Sequence, residues 1–479
     1  MAGLAIRRAC CVRTISPTLT LQIAPQLPIA ATMIAAMITS AAAAASFSTV
    51  AASFSTVPLN KRVTFAPPRS RVAEQLSSSL GNGSSIPADG SVWPTAIYWT
   101  YVEIGTPAVK FPVAIDSGSG DLDVSGAKCE GCVTTPPNVA YDSSKSTTAK
   151  RVFPFTFSNS YQTCDLQDPT AVCTISGGLF TDQVSLAGFG PVEVTLGSIE
   201  KQTSNFDQFK EIDGVMGFTM GTKKNVFASL VAAGKIANVW SMCMRRGSVS
   251  NGTITIGGVD PRLSIDGRVD YVPDSGTGFH SVEVSSFMYR YILRESRSQF
   301  DSLPLISLTI PLFALGHVEV ASITLGGSGG SASASIHVGK SGILDTGTNV
   351  LLLPSALMKS LREAMCADKG LASCAALWAT KGNCVALTEA QVAAYPPMTL
   401  DLSGGVKLAM RAKDYLLQGS PTCATSDLYA LGIRDGGSAG GSGFIIGDTT
   451  MRNYNLVFDL AQKRIGWGKV NASACGSIA

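Results

Sequence analysis

The sequence predicts a mainly β protein of two homologous lobes flanking a central cleft. Three observations carry this. Glycine is abundant and dispersed, 48 residues in 479, while charged residues make up 15% and apolar ones 45%, a balance that suits turn-rich β structure better than a helical bundle. Short segments rich in β-branched and aromatic residues recur between the glycines. An apolar strand ending in Asp-Ser/Thr-Gly-Ser/Thr occurs twice, each time followed later by two apolar residues and a glycine.

The segments IYWTYVEIG, FPVAID, TITIGG, VEVASITLGG, FIIGD and NLVFDL read as strands, since β-branched and aromatic side chains fit a pleated, half-buried surface. Residues 355–365, SALMKSLREAM, are the exception. Leu357, Leu361 and Met365 recur there at four-residue spacing behind Ser355, which predicts a short packed helix with Ser355 as its cap.

The first copy of the repeated pattern is Val113-Ala114-Ile115-Asp116-Ser117-Gly118-Ser119 with Val215-Met216-Gly217, and the second is Gly342-Ile343-Leu344-Asp345-Thr346-Gly347-Thr348 with Ile445-Ile446-Gly447. Two lobes meeting at a cleft put one carboxylate on each side. Peptide hydrolysis at mild acidity can use one carboxylate as general base on a water and one carboxylic acid to polarise the carbonyl. Carboxyl groups about 3 Å apart cannot both ionise cheaply, so they share a proton. Gly118 and Gly347 allow a tight turn, and the small hydroxyls of Ser117, Ser119, Thr346 and Thr348 can tie the loops without filling the cleft. A single Asp-x-Gly is ordinary turn punctuation, whereas two copies with apolar flanks point to Asp116 and Asp345 as a catalytic pair.

Other chemistries fit poorly. The formal net charge of +3 and the lack of a long basic run give no nucleic-acid footprint. His280, His317 and His337 stand in neither an H-E-x-x-H pattern nor a G-x-S-x-G elbow and read as structural. Of twelve cysteines, Cys10 and Cys11 fall in the front segment, leaving ten, enough for five disulfides in an oxidising compartment. Cys129-x-x-Cys132 could be half of a zinc site, but no second ligand pair accompanies it, and a disulfide is preferred. No metal or cofactor is expected.

Residues 1–57 read as a targeting leader and low-complexity spacer. Arg7, Arg8 and Arg13 precede an Ala-rich apolar stretch over 27–45, the first acidic residue is Glu74, and AASFSTV occurs in tandem at 44–50 and 51–57. A signal peptide or an organelle transit element both suit this front, and initiation at Met33 is a further alternative. The disulfide arithmetic favours the secretory pathway, with an extracellular or vacuolar/lysosomal destination. Residues 58–90 read as a propeptide or linker, 91–270 as an N-terminal lobe with Asp116, and 271–479 as a C-terminal lobe with Asp345. No apolar run of membrane-spanning length follows the leader. Asn82, Asn251 and Asn471 open N-x-S/T triplets, the acceptor pattern for glycosylation.

From about residue 97 to 475 the chain resembles the pepsin-like aspartic proteases. TYVEIGTPAVKFPVAIDSGSGDLDV is similar to that family's first active-site loop and SGILDTGTNVLLLP to its second. FDQFKEIDGVMGF, VFASLVAAGKIANVWSMCM, TITIGGVDPRLSIDGRVDYVP and FIIGDTTMRNYNLVFDLAQKRIGWGKV continue the match. The resemblance implies a bilobal β fold and a monomeric endopeptidase. It implies that Ser117 and Thr346 cross-link the loops, that Ser119 and Thr348 bond the outer carboxylate oxygens, and that Asp448 and Asp459 are structural. It also implies disulfides Cys384–Cys423 and Cys243–Cys475. Cys366–Cys374 would close a short loop, and Cys164–Cys173 would close the tip of a flap whose candidate tyrosine is Tyr161, the alternative being a flap without a tyrosine.

Three departures stand out. Asp123 occupies the place of the family's frequent Trp, so the usual bond between that Trp and the flap tyrosine cannot form. The first motif reads D-S-G, which keeps the hydroxyl. The segment around 282–316 has no counterpart of its length, and reads as a surface insertion or as translated non-coding sequence, poorly ordered or peripheral. The functional expectation is an acid-active endopeptidase, made as a zymogen, that cleaves extended peptides or proteins between hydrophobic residues. The alternative is a catalytically impaired binding or inhibitor protein of the same fold.

Overall fold

The computed structural model describes residues 83–90, 97–134, 138–162, 172–203, 211–220, 225–245, 251–276, 278–292, 331–367, 370–379, 383–420, 423–437, 441 and 443–477, all within the unit Ser70–Ala479. The expectations for 1–57, for 58–82 with Asn82, for Cys164, for His317, for VEVASITLGG and for 293–316 lie outside those residues.

Strands dominate and gather into sheets of thirteen, seven and three strands. In the strand Tyr98–Ile104 the residues Tyr98, Thr100, Val102 and Ile104 are buried while those between are less so, as the two-residue period of a strand requires. The next strand, Val109–Asp116, is buried at all six positions from Phe111 on, the signature of a strand covered on both faces.

The sequence duplication reappears as a duplicated topology. Val109–Asp116 lies in the thirteen-stranded sheet and Ser331–Leu344 in the seven-stranded one. Each is joined in parallel by its apolar-apolar-Gly segment, Val113 opposite Gly214 through Asp116 opposite Gly217 in the first, Ile343 opposite Ile445 and Leu344 opposite Ile446 in the second. Each such segment then pairs antiparallel with the strand after the motif, Met216 with Leu122 and Ile445 with Leu352. The glycines closing these segments have no room for a side chain. A Cβ at Gly217 would stand 2.5 Å from Ser119 O, and one at Gly447 would collide with the carbonyls of Thr348 and Val350. The fold is therefore the mainly β, two-lobed architecture expected from the repeat.

Sheet membership does not follow the expected boundaries. The C-terminal strands Tyr454–Asp459 and Arg464–Lys469 belong to the thirteen-stranded sheet, where Leu456 pairs with Met242 of Val239–Arg245. Phe458 stacks on Trp240 at 4.0 Å between ring centroids, and Phe218 packs on the same indole at 4.5 Å. Ser84–Gly90, expected to end a propeptide or linker, is a strand of that sheet, paired with Asn251–Ile256. Its Ser/Pro/Gly composition hides this, because the pairing uses backbone groups. Ser281–Ile292, expected to open the insertion, pairs with Ser331–Leu344 on one side and Met398–Leu402 on the other, so it is an interior strand.

The helix spans Ser355–Cys366 and buries Leu357, Met358, Leu361 and Met365. Ser355 does not cap it. Pro354 holds the cap position, and the Ser355 hydroxyl donates to Asp435 Oδ1 at 2.6 Å.

Candidate active site

Asp116 ends its strand and Asp345 directly follows the strand Ser331–Leu344, so the parallel pairing beside each strand aims both carboxylates at one region. The glycine contacts show how closely the loops meet. A Cβ on Gly118 would lie 2.6 Å from Asp345 Cγ, and one on Gly347 would lie 2.8 Å from Asp116 Oδ1. Each loop thus presents a bare backbone to the carboxylate of the other, which only glycine permits. Within its own loop each carboxylate accepts one amide, Gly118 N to Asp116 Oδ1 and Gly347 N to Asp345 Oδ1, both at 2.8 Å.

Ser117 and Thr346 cross between the loops. Thr346 N donates to Ser117 Oγ and Ser117 N to Thr346 Oγ1, each at 3.0 Å. The hydroxyls pass their own protons to Leu344 O at 2.8 Å and Ile115 O at 2.7 Å, the carbonyls that precede the two aspartates. The loops are further braced by His280, which is wholly buried. Its carbonyl accepts Leu344 N at 2.9 Å, its Nε2 faces Phe218 O at 3.3 Å, and its Nδ1 meets Asp274 at 2.8 Å.

The outer hydroxyls differ. Thr348 Oγ1 donates to Asp345 Oδ2 at 2.6 Å. Ser119 Oγ is buried beside both Asp116 and Tyr161, and hydrogen bonding to it opposes the upward shift of each. Burial first, and the negative charge of Asp345 second, push the Asp116 carboxyl well above the usual carboxylate range.

The carboxylates open into a cleft of about 650 Å³ whose lining includes Tyr161, Asn159, Asp121 and Asp213. Among the described residues that line it there is no Lys, Arg or His.

Residues 97–302 match the eukaryotic aspartyl protease family and residues 317–469 the xylanase inhibitor C-terminal family. Aspartic proteinase 36 of Arabidopsis thaliana is 25% identical over 433 residues, covering 85% of this chain and 79% of the relative. Gastricsin of Mus musculus is 26% identical over 380 residues, 78% of this chain and 80% of the relative. Pepsin A of Suncus murinus is 22% identical over 379 residues, 78% and 81% respectively. Over most of its length the chain is similar to pepsin-like aspartic proteinases, with the eukaryotic aspartyl protease match over residues 97–302. That similarity supports an aspartic peptidase acting on peptides or proteins.

Within this pepsin-like frame Tyr161 ends the strand Lys150–Tyr161, the first arm of a hairpin with Cys173–Leu186. It faces the cleft. Burial raises its phenol well above the ordinary tyrosine range, and the charges of Asp123, Asp116 and Asp121 add to the shift. Asp123, in the place of the family's Trp, is 1% exposed, and its Oδ2 accepts Asn159 Nδ2 at 2.8 Å.

Asn159 and Asp213 are site residues that sequence reasoning missed. Asp213 is 1% exposed, accepts Asn138 Nδ2 at 2.6 Å and Val139 N at 2.7 Å, and is raised by burial. These partners lie far away in sequence, and no local pattern signals them.

Four disulfides lie among the described residues, Cys129–Cys132, Cys243–Cys475, Cys366–Cys374 and Cys384–Cys423. Cys173 is also disulfide-bonded. Asp448, wholly buried, meets Arg452 at 3.2 Å; burial raises it to about 8 and the guanidinium opposes the rise. Asp459 accepts Arg464 Nε at 2.8 Å. No group of three metal-binding side chains occurs among the described residues, and no helix there is long and apolar enough to cross a membrane.

Proposed function

We propose that this chain is an aspartic endopeptidase in which Asp116 and Asp345 are the catalytic residues. The observation that carries this is the reciprocal packing of each carboxylate against the glycine of the other loop, which holds two carboxyl groups close enough to share one proton. Asp116, whose carboxyl burial and Asp345 both push up, keeps the proton and hydrogen-bonds the scissile carbonyl oxygen. Asp345, whose oxygens accept Gly347 N and Thr348 Oγ1, takes a proton from the attacking water. The water oxygen bonds to the carbonyl carbon, the Asp116 proton passes to the carbonyl oxygen, and the resulting tetrahedral species expels the amine. The amine leaves with the proton held by Asp345, and the gem-diol proton returns to Asp116.

The enzyme acts in acid as a monomer on extended peptides, within the secretory pathway, where disulfides persist. The chain is made as a zymogen, and its basic segment 58–73, with Lys61, Arg62, Arg69 and Arg71, is the part whose hold weakens as carboxylates protonate. Removal of 58–82, which spares the strand Ser84–Gly90, then raises activity at neutral pH. Equal activity of the truncated and full chains would refute that step.

Cleavage of a denatured protein from pH 2 to 7, by wild type, Asp116→Asn and Asp345→Asn, with and without a statine-type transition-state inhibitor, tests the peptidase reading. Acid-dependent, statine-sensitive cleavage that both substitutions abolish supports it. The match of 317–469 to the xylanase inhibitor C-terminal family favours a second reading, a non-cleaving binder, and inactivity of folded, processed wild type would select it.

A further inference from the structure

Asp123 is an uncommon residue to find under a flap: a carboxylate, 1% exposed, inside a β-sheet. Its place is made by a missing side chain. Asp123 lies opposite Gly197 in the parallel pair formed by Leu122–Glu130 and Phe189–Gln202. A Cβ at Gly197 would collide with Asp123 Oδ1 and stand 2.6 Å from the Phe157 ring. Through that gap the carboxylate reaches the hairpin.

The hairpin strand answers with three residues on one face. Along its second half Phe157, Asn159 and Tyr161 are the less exposed positions, and their neighbours Thr156, Ser158 and Ser160 are exposed, as strand alternation demands. Phe157 sits over Gly197, Asn159 Nδ2 donates to Asp123 Oδ2 at 2.8 Å and reaches Asp121 Oδ2 at 3.3 Å, and Tyr161 stands where the charges of Asp123, Asp116 and Asp121 all act on it. The donor and Tyr161 are two residues apart on one stiff strand, so the position of one sets that of the other.

We propose that Asn159 and Asp123 are positioning residues that hold the hairpin so that Tyr161 closes over the carboxylate pair, a polar latch in the place of the family's Trp. This rests on the peptidase reading for its kinetic consequence but not for its structural one. A charge-assisted bond to a buried carboxylate is short and directional, and it ties the hairpin to the strand that follows the first motif, so the flap and Asp116 move together.

The test compares wild type, Asn159→Ala, Asp123→Asn, Tyr161→Phe and the double variant Asn159→Ala/Tyr161→Phe. Three readouts are taken: kcat and KM on a fluorogenic peptide, amide hydrogen exchange across 150–161 and 173–186, and thermal midpoint. Asn159→Ala is expected to lower kcat/KM by about 10- to 100-fold, since a small misplacement of a positioning group has effects of that order. It should also speed exchange in the hairpin. Asp123→Asn, which keeps an acceptor oxygen, is expected to retain most of the activity. The double variant should lose little more than the worse single one, because residues acting as one unit are not additive.

Unchanged hairpin exchange in Asn159→Ala overturns the proposal whether or not wild type cleaves peptides. So does a change confined to thermal midpoint, or fully additive kinetic losses. If wild type is inactive, the peptidase reading fails, while faster exchange in Asn159→Ala still supports the latch.

Discussion

Ser117 and Thr346 exchange hydrogen bonds across the cleft, each backbone N–H donating to the other's hydroxyl at 3.0 Å. Both residues are wholly buried, and 229 positions separate them. The bond pair holds two halves of the chain in register at the point where the carboxylates meet.

Replacing Ser117 with Ala removes the acceptor of Thr346 N and the donor to Leu344 O. A buried donor left without a partner costs about 1–3 kcal/mol. Ser117→Ala is therefore expected to lower unfolding free energy by about that amount in urea and to weaken any cleavage. Unchanged stability would show that the cross-link is not structural.

The pH dependence of stability has a definite sign. The Asp116 carboxyl is raised from 3.8 to about 8 in the folded chain, so the folded state binds the proton more tightly than the unfolded one. Its contribution is fully present below the unfolded value and is lost as pH rises through that interval. Thermal midpoints of wild type are expected to fall between those pH values, and Asp116→Asn to flatten that fall. An identical slope in the variant would assign the effect to other groups.

Gly118→Ala places a methyl group 2.6 Å from Asp345 Cγ. Displacement of a reacting group by an ångström can lower a rate about 100-fold, so kcat is expected to drop by that order with circular dichroism unchanged. Full activity would mean that the loops have slack the packing does not suggest.

His280 and Asp274 form a buried pair at 2.8 Å, with side-chain exposures of 0% and 4%. His280→Ala strips Asp274 of that partner and opens a gap beside Trp240 and Phe458, whose rings flank the imidazole. A loss of about 3 kcal/mol in unfolding free energy is expected from the lost hydrogen bond and the cavity left behind, read by chemical denaturation. A loss below about 1 kcal/mol would show that the surrounding aromatic packing holds the junction without the pair.

Some of this was legible in the chain alone. The strand Val109–Asp116 announces itself through its apolar, β-branched run before the motif, and the helix Ser355–Cys366 through the four-residue spacing of Leu357, Leu361 and Met365. The two Asp-x-Gly turns announce themselves because turn chemistry is written in adjacent residues. Asn159 was not legible, since its role depends on Asp123, 36 positions away, and on Gly197 leaving space between them. Ser355 looked like a cap by local pattern, yet its hydroxyl is drawn to Asp435, 80 positions away.

By itself the sequence determined the β class, the duplicated motif and which aspartates, glycines and hydroxyl residues form the two loops, because a turn and its flanking strand are set by contiguous side chains. Only the tertiary structure decided that Ser84–Gly90 and the C-terminal strands share one sheet with the first motif, that His280 links Leu344 to Phe218, and that Asp123 bonds the hairpin through Asn159. Those arrangements arise from strand neighbours and packing gaps, which depend on segments far apart in the chain and leave no trace in local composition.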